Sequence, residues 1–297
     1  LTRVAITGAT GWLGRAAAER AAGRGDEVLA FASARKPLRL DDGTTLTAAP
    51  LAELAQTPHD VLLHFAYATR EHAVGAEYVE TNAAITATVV EAIARQRPAA
   101  VVYASSGAVY RGEGDADGLA FDVRADPYGA LKRLDELTLR AAAQDVGAAA
   151  IVARVFNLAG PWLLKRGFAI ANLIEQVQAG GAVTIRAGHP VVRSYVDVED
   201  LAALLLALAG ARQDARFDTA GEVAVEMGEL AARVAQALGR EDELTIERDW
   251  DPAAPADRYV GDGAEWLRLT AEHGIAPRDL GAQIARTAAS LRAGEPA

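Results

Sequence analysis

The chain has 297 residues, 51% hydrophobic and 24% charged, with 30 Lys and Arg against 40 Asp and Glu for a formal net charge of −10. That balance excludes a wholly disordered chain, and the acidic excess argues against a surface that tracks a nucleic-acid backbone or an anionic membrane. The absence of cysteine excludes disulfides, thiolate nucleophiles and Cys-ligated metals.

Short apolar runs alternate with helical patterns over the first 160 residues. Strands are predicted at Arg3–Thr7, Glu27–Phe31, Val61–Phe65, Ala100–Ser105 and Ala150–Phe156, with helices near Gly11–Ala22, Ala76–Arg97 and Tyr128–Asp145. Val61-Leu62-Leu63 and Ala100-Val101-Val102 are apolar without alternation, the pattern of strands buried on both faces. Repeated βα units predict an α/β fold, a Rossmann-type doubly wound parallel sheet. After Gly160-Pro161 the pattern changes. A helix at Ala169–Ala179, a strand at Val183–Ile185, a segment Arg193–Asp200 and an apolar helix Leu201–Leu208 are followed by a strand at Arg216–Asp218 and a helix at Met227–Leu238. A loop containing Pro252 and Pro255 leads to short final helices. The run near Leu201–Ala209 is the longest apolar one and is too short to span a bilayer. Val4-Ala5-Ile6 enters a glycine turn at once, so no secretory leader is expected and the expected location is cytoplasmic.

Two patterns carry chemistry. Gly8-Ala9-Thr10-Gly11-Trp12-Leu13-Gly14 follows the first strand and opens a helix. Gly8 permits a sharp turn, Gly11 a close approach of backbone to a pyrophosphate, and Gly14 tight helix–strand packing, with the helix N-terminus facing the anion. Tyr128 and Lys132 stand one helical turn apart, where an ammonium favours the phenolate of its neighbour. Ser105 and Ser106 end a buried strand at the carboxyl edge of the sheet, where Ser106 can donate to a carbonyl oxygen that Tyr128 protonates. His59, His64, His72, His189 and His273 show no metal-ligand spacing, and Lys165 and Arg166 read as plain surface charges.

Thr7–Gly14 matches the TGxxGxxG opening of the extended short-chain dehydrogenase/reductase family, which includes the NAD-dependent epimerases and dehydratases. The chain resembles its nucleotide-sugar-modifying branch over nearly its whole length. Asp60–Ala66 resembles the family's DVVxHLAA strand beside the cofactor, and Thr81-Asn82 the start of the helix that follows. Arg154–Pro161 resembles RxxNxxGP, whose Asn, here Asn157, approaches a sugar diphosphate. Arg193–Ala202 resembles RDFxHVDDLA, whose Arg pairs the diphosphate, and Asp257–Val260 resembles a later Arg motif with the same task. The resemblance implies Ser106, Tyr128 and Lys132 as catalytic residues. It places Gly8, Thr10, Gly11, Trp12, Leu13, Gly14, Phe65, Ala66 and Asn82 on the cofactor, together with Tyr128 and Lys132. Ser106, Asn157, Asn172, Arg193 and Arg258 are expected on a nucleoside-diphosphate sugar, since a diphosphate needs a fork of donors. The implied division is a dinucleotide-binding domain of 1–160 plus 189–221 and a smaller C-terminal substrate lobe of 161–188 plus 222–297. A homodimer through the helices near 76–97 and 128–145 is the expected assembly.

Within that family the chain reads toward simple redox at one carbon. Relatives that dehydrate sugars carry Thr-Asp-Glu where this chain has Ser106-Gly107-Ala108, and those that epimerise and reduce GDP-sugars use a Cys–His pair absent here. NAD-specific members end strand two with an acidic residue that holds the ribose 2′-hydroxyl. Here Ala32 and Ser33 stand there, followed by Arg35 and Lys36, which suits the 2′-phosphate of NADP(H), with NAD as the alternative. Three readings stay open: an NADPH-dependent ketoreductase of a nucleotide-linked keto-sugar, a 4-epimerase with tightly held NAD, and a dinucleotide-binding sensor without catalysis.

Overall fold

The computed structural model describes residues 2–69, 75–110, 127–163 and 167–293; His72, Lys165 and Arg166 lie outside these ranges. In chain order the elements begin with β1 (Arg3–Thr7), α1 (Trp12–Gly23), β2 (Glu27–Ala32), β3 (Lys36–Arg39), β4 (Thr45–Pro50) and a 3₁₀ turn over Leu51–Gln56. β5 (Val61–His64), α2 (Gly75–Gln96), β6 (Ala100–Ser106), α3 (Pro127–Asp145), β7 (Ala149–Val155) and β8 (Leu158–Ala159) follow. Next come α4 (Ala169–Ala179), β9 (Ala182–Thr184), β10 (Val191–Arg193), β11 (Val196–Asp197), α5 (Val198–Ala211) and β12 (Ala215–Asp218). The remainder is β13 (Val225–Glu226), α6 (Met227–Ala237), β14 (Thr245–Glu247), β15 (Asp257–Tyr259), α7 (Ala264–Glu272) and α8 (Leu280–Ala293). Among the described residues, no helix is long and apolar enough to cross a membrane.

The chain divides into two compact units, Leu1–Val155 with Ala202–Phe217, and Phe156–Leu201 with Asp218–Ala297. The sequence division differs from this one at residues 156–160, 189–201 and 218–221, which the contacts assign to the second unit. The reason is local pairing: β8 is hydrogen-bonded to β11, and β10 to β13 and β15, which ties these segments to chain further on.

The first unit is built on an eight-stranded sheet in the order β12-β7-β6-β5-β1-β2-β4-β3. β1 pairs in parallel with both β2 and β5, and β5, β6 and β7 continue the parallel run. The expected α/β doubly wound sheet is therefore present, and the apolar strands are buried on both faces. Ala5, Leu62, Val101 and Val152 point to the face that packs on Val89, Ile93 and Leu139 of α2 and α3. Val4, Ile6, Leu63, Val102 and Ile151 alternate with them and are also buried. One βα unit departs from the expected pattern. After β2 the chain turns into an antiparallel β3–β4 hairpin rather than a helix. Its turn runs through Asp41-Asp42-Gly43, with Gly43 at φ +88° and Asp42 accepting the Thr44 N–H at 2.8 Å.

The second unit holds a three-stranded sheet, β13-β10-β15, and two strand pairs, β11-β8 and β14-β9. Its core gathers Ile170, Leu173, Ile174 and Val177 of α4, Leu230, Ala231 and Val234 of α6, and Ile284 and Ala288 of α8. The segment Val196–Ala202 uses its acids structurally. Asp197 accepts from Arg286 Nε at 3.0 Å, Glu199 also pairs with Arg286, and Asp200 takes the backbone N–H of Arg278 at 2.8 Å and its guanidinium.

The glycine turn gives a direct check. A Cβ on Gly14 would stand 2.1 Å from the Gly8 carbonyl oxygen, whereas one on Gly23, at the end of the same helix, would meet nothing within 4 Å. Gly14→Ala is expected to destabilise the protein by about 2 kcal/mol or more through forced backbone movement. Gly23→Ala is expected to be neutral or to stabilise by up to about 1 kcal/mol. Urea denaturation of the two variants tests this, and equal midpoints would contradict it.

Candidate active site

The first unit carries both the glycine turn, at the exit of β1, and the Ser–Tyr–Lys set, at the end of β6 and the start of α3. β1 runs into Gly8, whose φ is +68° and whose absent Cβ would lie 2.8 Å from the Ala66 nitrogen and the Phe65 carbonyl carbon. Gly8, Phe65 and Ala66 are thus packed backbone to backbone. Gly11 caps α1 in an extended conformation and, as a glycine, offers no side chain to the first N–H groups of the helix. A Cβ at Gly11 would touch only the Gly8 oxygen, at 3.2 Å. Thr10, Gly11, Trp12 and Leu13 are half-buried, in keeping with a turn open on its outer side.

Thr7 braces the turn from below. Its Oγ1 accepts the N–H groups of Phe65 and Ala66, each at 3.2 Å, and lies 2.7 Å from His64 Nδ1. Burial, with the nearby Lys132 charge adding to it, pushes the imidazole of His64 down to about 3, so the ring is neutral. Asn82 is buried and spends its amide on chain. Its Oδ1 accepts the Ala68 N–H at 2.9 Å, and its Nδ2 donates to the carbonyls of Ala68 and Tyr78. It fixes the strand-five exit instead of presenting free polar atoms.

β6 ends at Ser106, whose Oγ accepts the Ala108 N–H at 3.2 Å. α3 starts at Pro127, a favoured first helical residue, and sets Tyr128 and Lys132 one turn apart. Tyr128 is half-buried and Lys132 is only 5% exposed. The Lys132 ammonium donates to the Ala104 carbonyl at 2.9 Å and lies over the rings of Tyr67 and Tyr103, at 4.1 and 4.8 Å from their centroids. Tyr67 also meets Tyr128 edge-on, with centroids 5.6 Å apart. Burial lowers Lys132 to about 8, against the pull of Asp135 and Glu136. Burial pushes the Tyr67 and Tyr103 hydroxyls well above their usual range, so both rings stay neutral beside the lysine. Tyr67, Tyr103 and Asp135 were not singled out in the sequence; the only signal was two tyrosines near the exits of consecutive buried strands.

A second buried group joins β6 to α3. Ser105 Oγ donates to Glu136 at 2.6 Å, Arg154 grips the same carboxylate with Nε and Nη2, each at 2.8 Å, and Arg133 adds a third cationic contact at 2.8 Å. Burial works against Glu136 ionising, but these donors outweigh it and its carboxyl lies below the usual range.

The residues expected on the 2′-position of the cofactor sit at the exit of β2. Ser33 is exposed, and Arg35 is exposed and pairs with Glu53 at 2.5 Å. Arg15, just past Gly14, pairs with Glu19 and, at 2.9 Å, with Asp41 of the hairpin turn.

Apart from Ser106, the expected substrate residues lie in the second unit. Arg193 pairs with Asp257 at 2.7 Å and lies 5.9 Å from the ring centroid of Tyr259. Asn157 brackets the two strands, its Nδ2 donating to the carbonyls of Ser194 at 3.0 Å and Tyr259 at 3.3 Å, which leaves Oδ1 as an acceptor. Asn172 is exposed on the first turn of α4 and accepts from Gln176 at 2.7 Å. Arg258 differs from the expectation that it shares one diphosphate with Arg193. The register sets Val192 beside Arg258 and Arg193 beside Tyr259, so the pleat turns the two arginines to opposite faces of the sheet.

A family model described as the NAD dependent epimerase/dehydratase family matches residues 4–219. No curated protein matches the chain. Among solved structures it is similar to a UDP-N-acetylglucosamine 4-epimerase from Methanobrevibacter ruminantium in complex with UDP-N-acetylmuramic acid, at 19% identity and a TM-score of 0.78, over 98% of each chain. It is similar to the Thermus thermophilus UDP-glucose 4-epimerase in complex with NAD, at 23% identity and a TM-score of 0.73, over 98% of this chain and 99% of that one. A dTDP-glucose 4,6-dehydratase from Streptomyces venezuelae matches at 22% identity and a TM-score of 0.73, over 98% of this chain and 97% of that one. With the family model spanning residues 4–219 of 297, the chain belongs to the NAD dependent epimerase/dehydratase family.

Proposed function

We propose that this protein is an NAD(P)-dependent oxidoreductase that reduces a keto group on a nucleoside-diphosphate sugar. The observation that carries the reading is the buried Lys132 ammonium one turn from Tyr128, on the unit that also holds the open glycine turn. The turn suits a dinucleotide: its N-cap is a glycine, which puts neither a capping side chain nor a Cβ where a pyrophosphate would approach the start of α1. The turn of Gly8, Gly11 and Gly14 would hold a nicotinamide dinucleotide, which would supply the hydride. Tyr128 passes its hydroxyl proton to the carbinol oxygen, Lys132 stabilises the phenolate left behind, and Ser106 donates a hydrogen bond to the same oxygen. The strand end at Ser106-Gly107-Ala108 carries no carboxyl group for eliminating water, which disfavours dehydration. Arg193, with Asn157 and Asn172, is the proposed contact for the diphosphate, since an exposed partner such as Asp257 adds little and yields to a phosphate.

NADP(H) is the preferred cofactor in this reading, because β2 ends without a carboxylate and Arg35 follows. One observation favours the second reading, a 4-epimerase holding NAD. Both arginines near that strand end already carry carboxylate partners, Arg35 with Glu53 and Arg15 with Glu19 and Asp41. Net consumption of NADPH with a keto-sugar nucleotide supports the reductase; interconversion of sugar epimers without net consumption supports the epimerase.

Tyr128→Phe is expected to keep dinucleotide affinity and lower turnover by about 10²–10⁴; near-normal turnover would remove the proton-transfer role. Calorimetry separates the two basic positions. Arg35→Ala is expected to weaken NADPH roughly ten- to a hundredfold and leave NADH unchanged, whereas Arg193→Ala weakens a nucleoside diphosphate by a similar factor and Arg258→Ala does not. Equal loss of NADH and NADPH in the first variant would return the epimerase to first place, and no nucleoside diphosphate binding by the unaltered protein would exclude a nucleotide-sugar substrate. The half-exposed Leu134 and Leu137 of α3 support pairing of two copies of the chain. Sedimentation is expected to give a dimer, with Leu137→Arg shifting it to monomer; a monomeric wild type would refute the pairing.

A further inference from the structure

Lys132 sits among groups contributed by several elements. β5 and its exit bring His64 and the ring of Tyr67, β6 brings the Ala104 carbonyl and the ring of Tyr103, and α3 itself brings Tyr128, Asp135 and Glu136. From α2, Thr86 reaches Asp135 and Tyr78 reaches Tyr67. His64 and the tyrosines 67 and 103 are neutral, and among the described residues the carboxylates that act on Lys132 are those of Asp135 and Glu136.

Glu136 is already committed. It carries one negative charge and is held by two guanidinium groups, Arg154 and Arg133, so that cluster is itself net positive. Asp135 is different. It is 5% exposed, and its two oxygens accept only from neutral hydroxyls, Thr86 Oγ1 at 2.8 Å and Tyr103 Oη at 3.0 Å. Among the described residues it forms no ion pair within 4.0 Å. Two donors hold it in place without cancelling its charge. Tyr103 links it to the lysine geometrically, giving its hydroxyl to Asp135 and its ring face to Lys132.

We infer that Asp135 is the counter-charge that keeps Lys132 protonated at neutral pH, acting across the Tyr103 ring without touching the ammonium, and so is a positioning residue for proton transfer at Tyr128. The inference rests on the proton-transfer reading above for its last step only; the charge relation between Asp135 and Lys132 stands without it. Burial raises the Asp135 carboxyl from its ordinary value, while Thr86, Lys132 and Tyr103 draw it back, the mutual dependence expected of two groups that charge together.

The chain has only three lysines, Lys36, Lys132 and Lys165, so carbon-13 labelling at lysine Cε gives three titration curves. Lys132→Arg assigns the buried one. In the unaltered protein Lys132 is expected to titrate near 8. Asp135→Asn keeps the shape and can still bond both hydroxyls, and is expected to lower that midpoint by about one pH unit or more, with Lys36 and Lys165 as internal references. In the enzyme assay the alkaline limb of kcat moves down by the same interval while KM for the dinucleotide holds. A Lys132 midpoint unchanged in Asp135→Asn overturns the inference. If that variant does not fold, the unaltered protein decides: a midpoint below about 6.5 means that no effective counter-charge acts, and the inference falls. A shifted Lys132 in a protein that turns over no keto-sugar leaves the counter-charge standing and removes the catalytic reading alone.

Discussion

Lys132 holds a cation where solvent does not reach it, and the surrounding architecture answers that electrostatic demand. An ammonium taken from water loses several kcal/mol of hydration unless other groups replace it. Here the replacement comes from one carbonyl and one aromatic face on β6, a second aromatic face past the end of β5, and carboxylates on α3. The carbonyl and ring contacts do not exist until the β5 exit, β6 and α3 have come together. The charge therefore couples the geometry of the tyrosine beside it to the integrity of the sheet. The neighbouring Glu136 cluster supports the same alignment by tying Ser105, at the end of β6, to α3. Removing one member of such a buried set leaves an uncompensated charge, commonly a loss of about 3–5 kcal/mol.

The second unit uses side-chain bonds where the first uses a long sheet. Its strands are two or three residues each, too short to define register through the ladder alone. Asn157 supplies part of what is missing by donating to carbonyls on two separate segments. The close-packed glycines do the rest: a Cβ on Gly221 would stand 2.2 Å from the Tyr195 oxygen, and one on Gly261 would stand 2.7 Å from the Thr219 oxygen.

Much of this was legible in the residues. Unbroken apolar runs such as Val61-Leu62-Leu63 are found only where both faces are covered, and the glycine turn and the Tyr–Lys pair are local patterns whose geometry follows from one strand end and one helix. The β3–β4 hairpin was not anticipated, although Asp42-Gly43 between alternating segments was a usable sign. β13, β14 and β15 escaped because two- and three-residue strands have no periodicity to detect. The site was legible in its proton-carrying members and not in the shell that sets their charge. Tyr67 and Asp135 matter through the company they keep in space, at sequence separations of 65 and 3 residues from Lys132 that no pattern distinguishes. The opposed faces of Arg193 and Arg258 likewise depend on a pairing register that motif spacing does not reveal.

The acids of Asp197–Asp200 find their partners on Arg278 and Arg286, some eighty to ninety residues later. During synthesis these carboxylates emerge from the ribosome well before the cations that neutralise them. Asp197, fully enclosed in the folded unit, keeps its hydration until those cations emerge, so the segment that bears it settles only after them. At translation rates of about 5–20 residues per second that interval lasts seconds. Closure around these acids thus follows the arrival of Arg278 and Arg286, an order of events written into the chain by the distance between its charges.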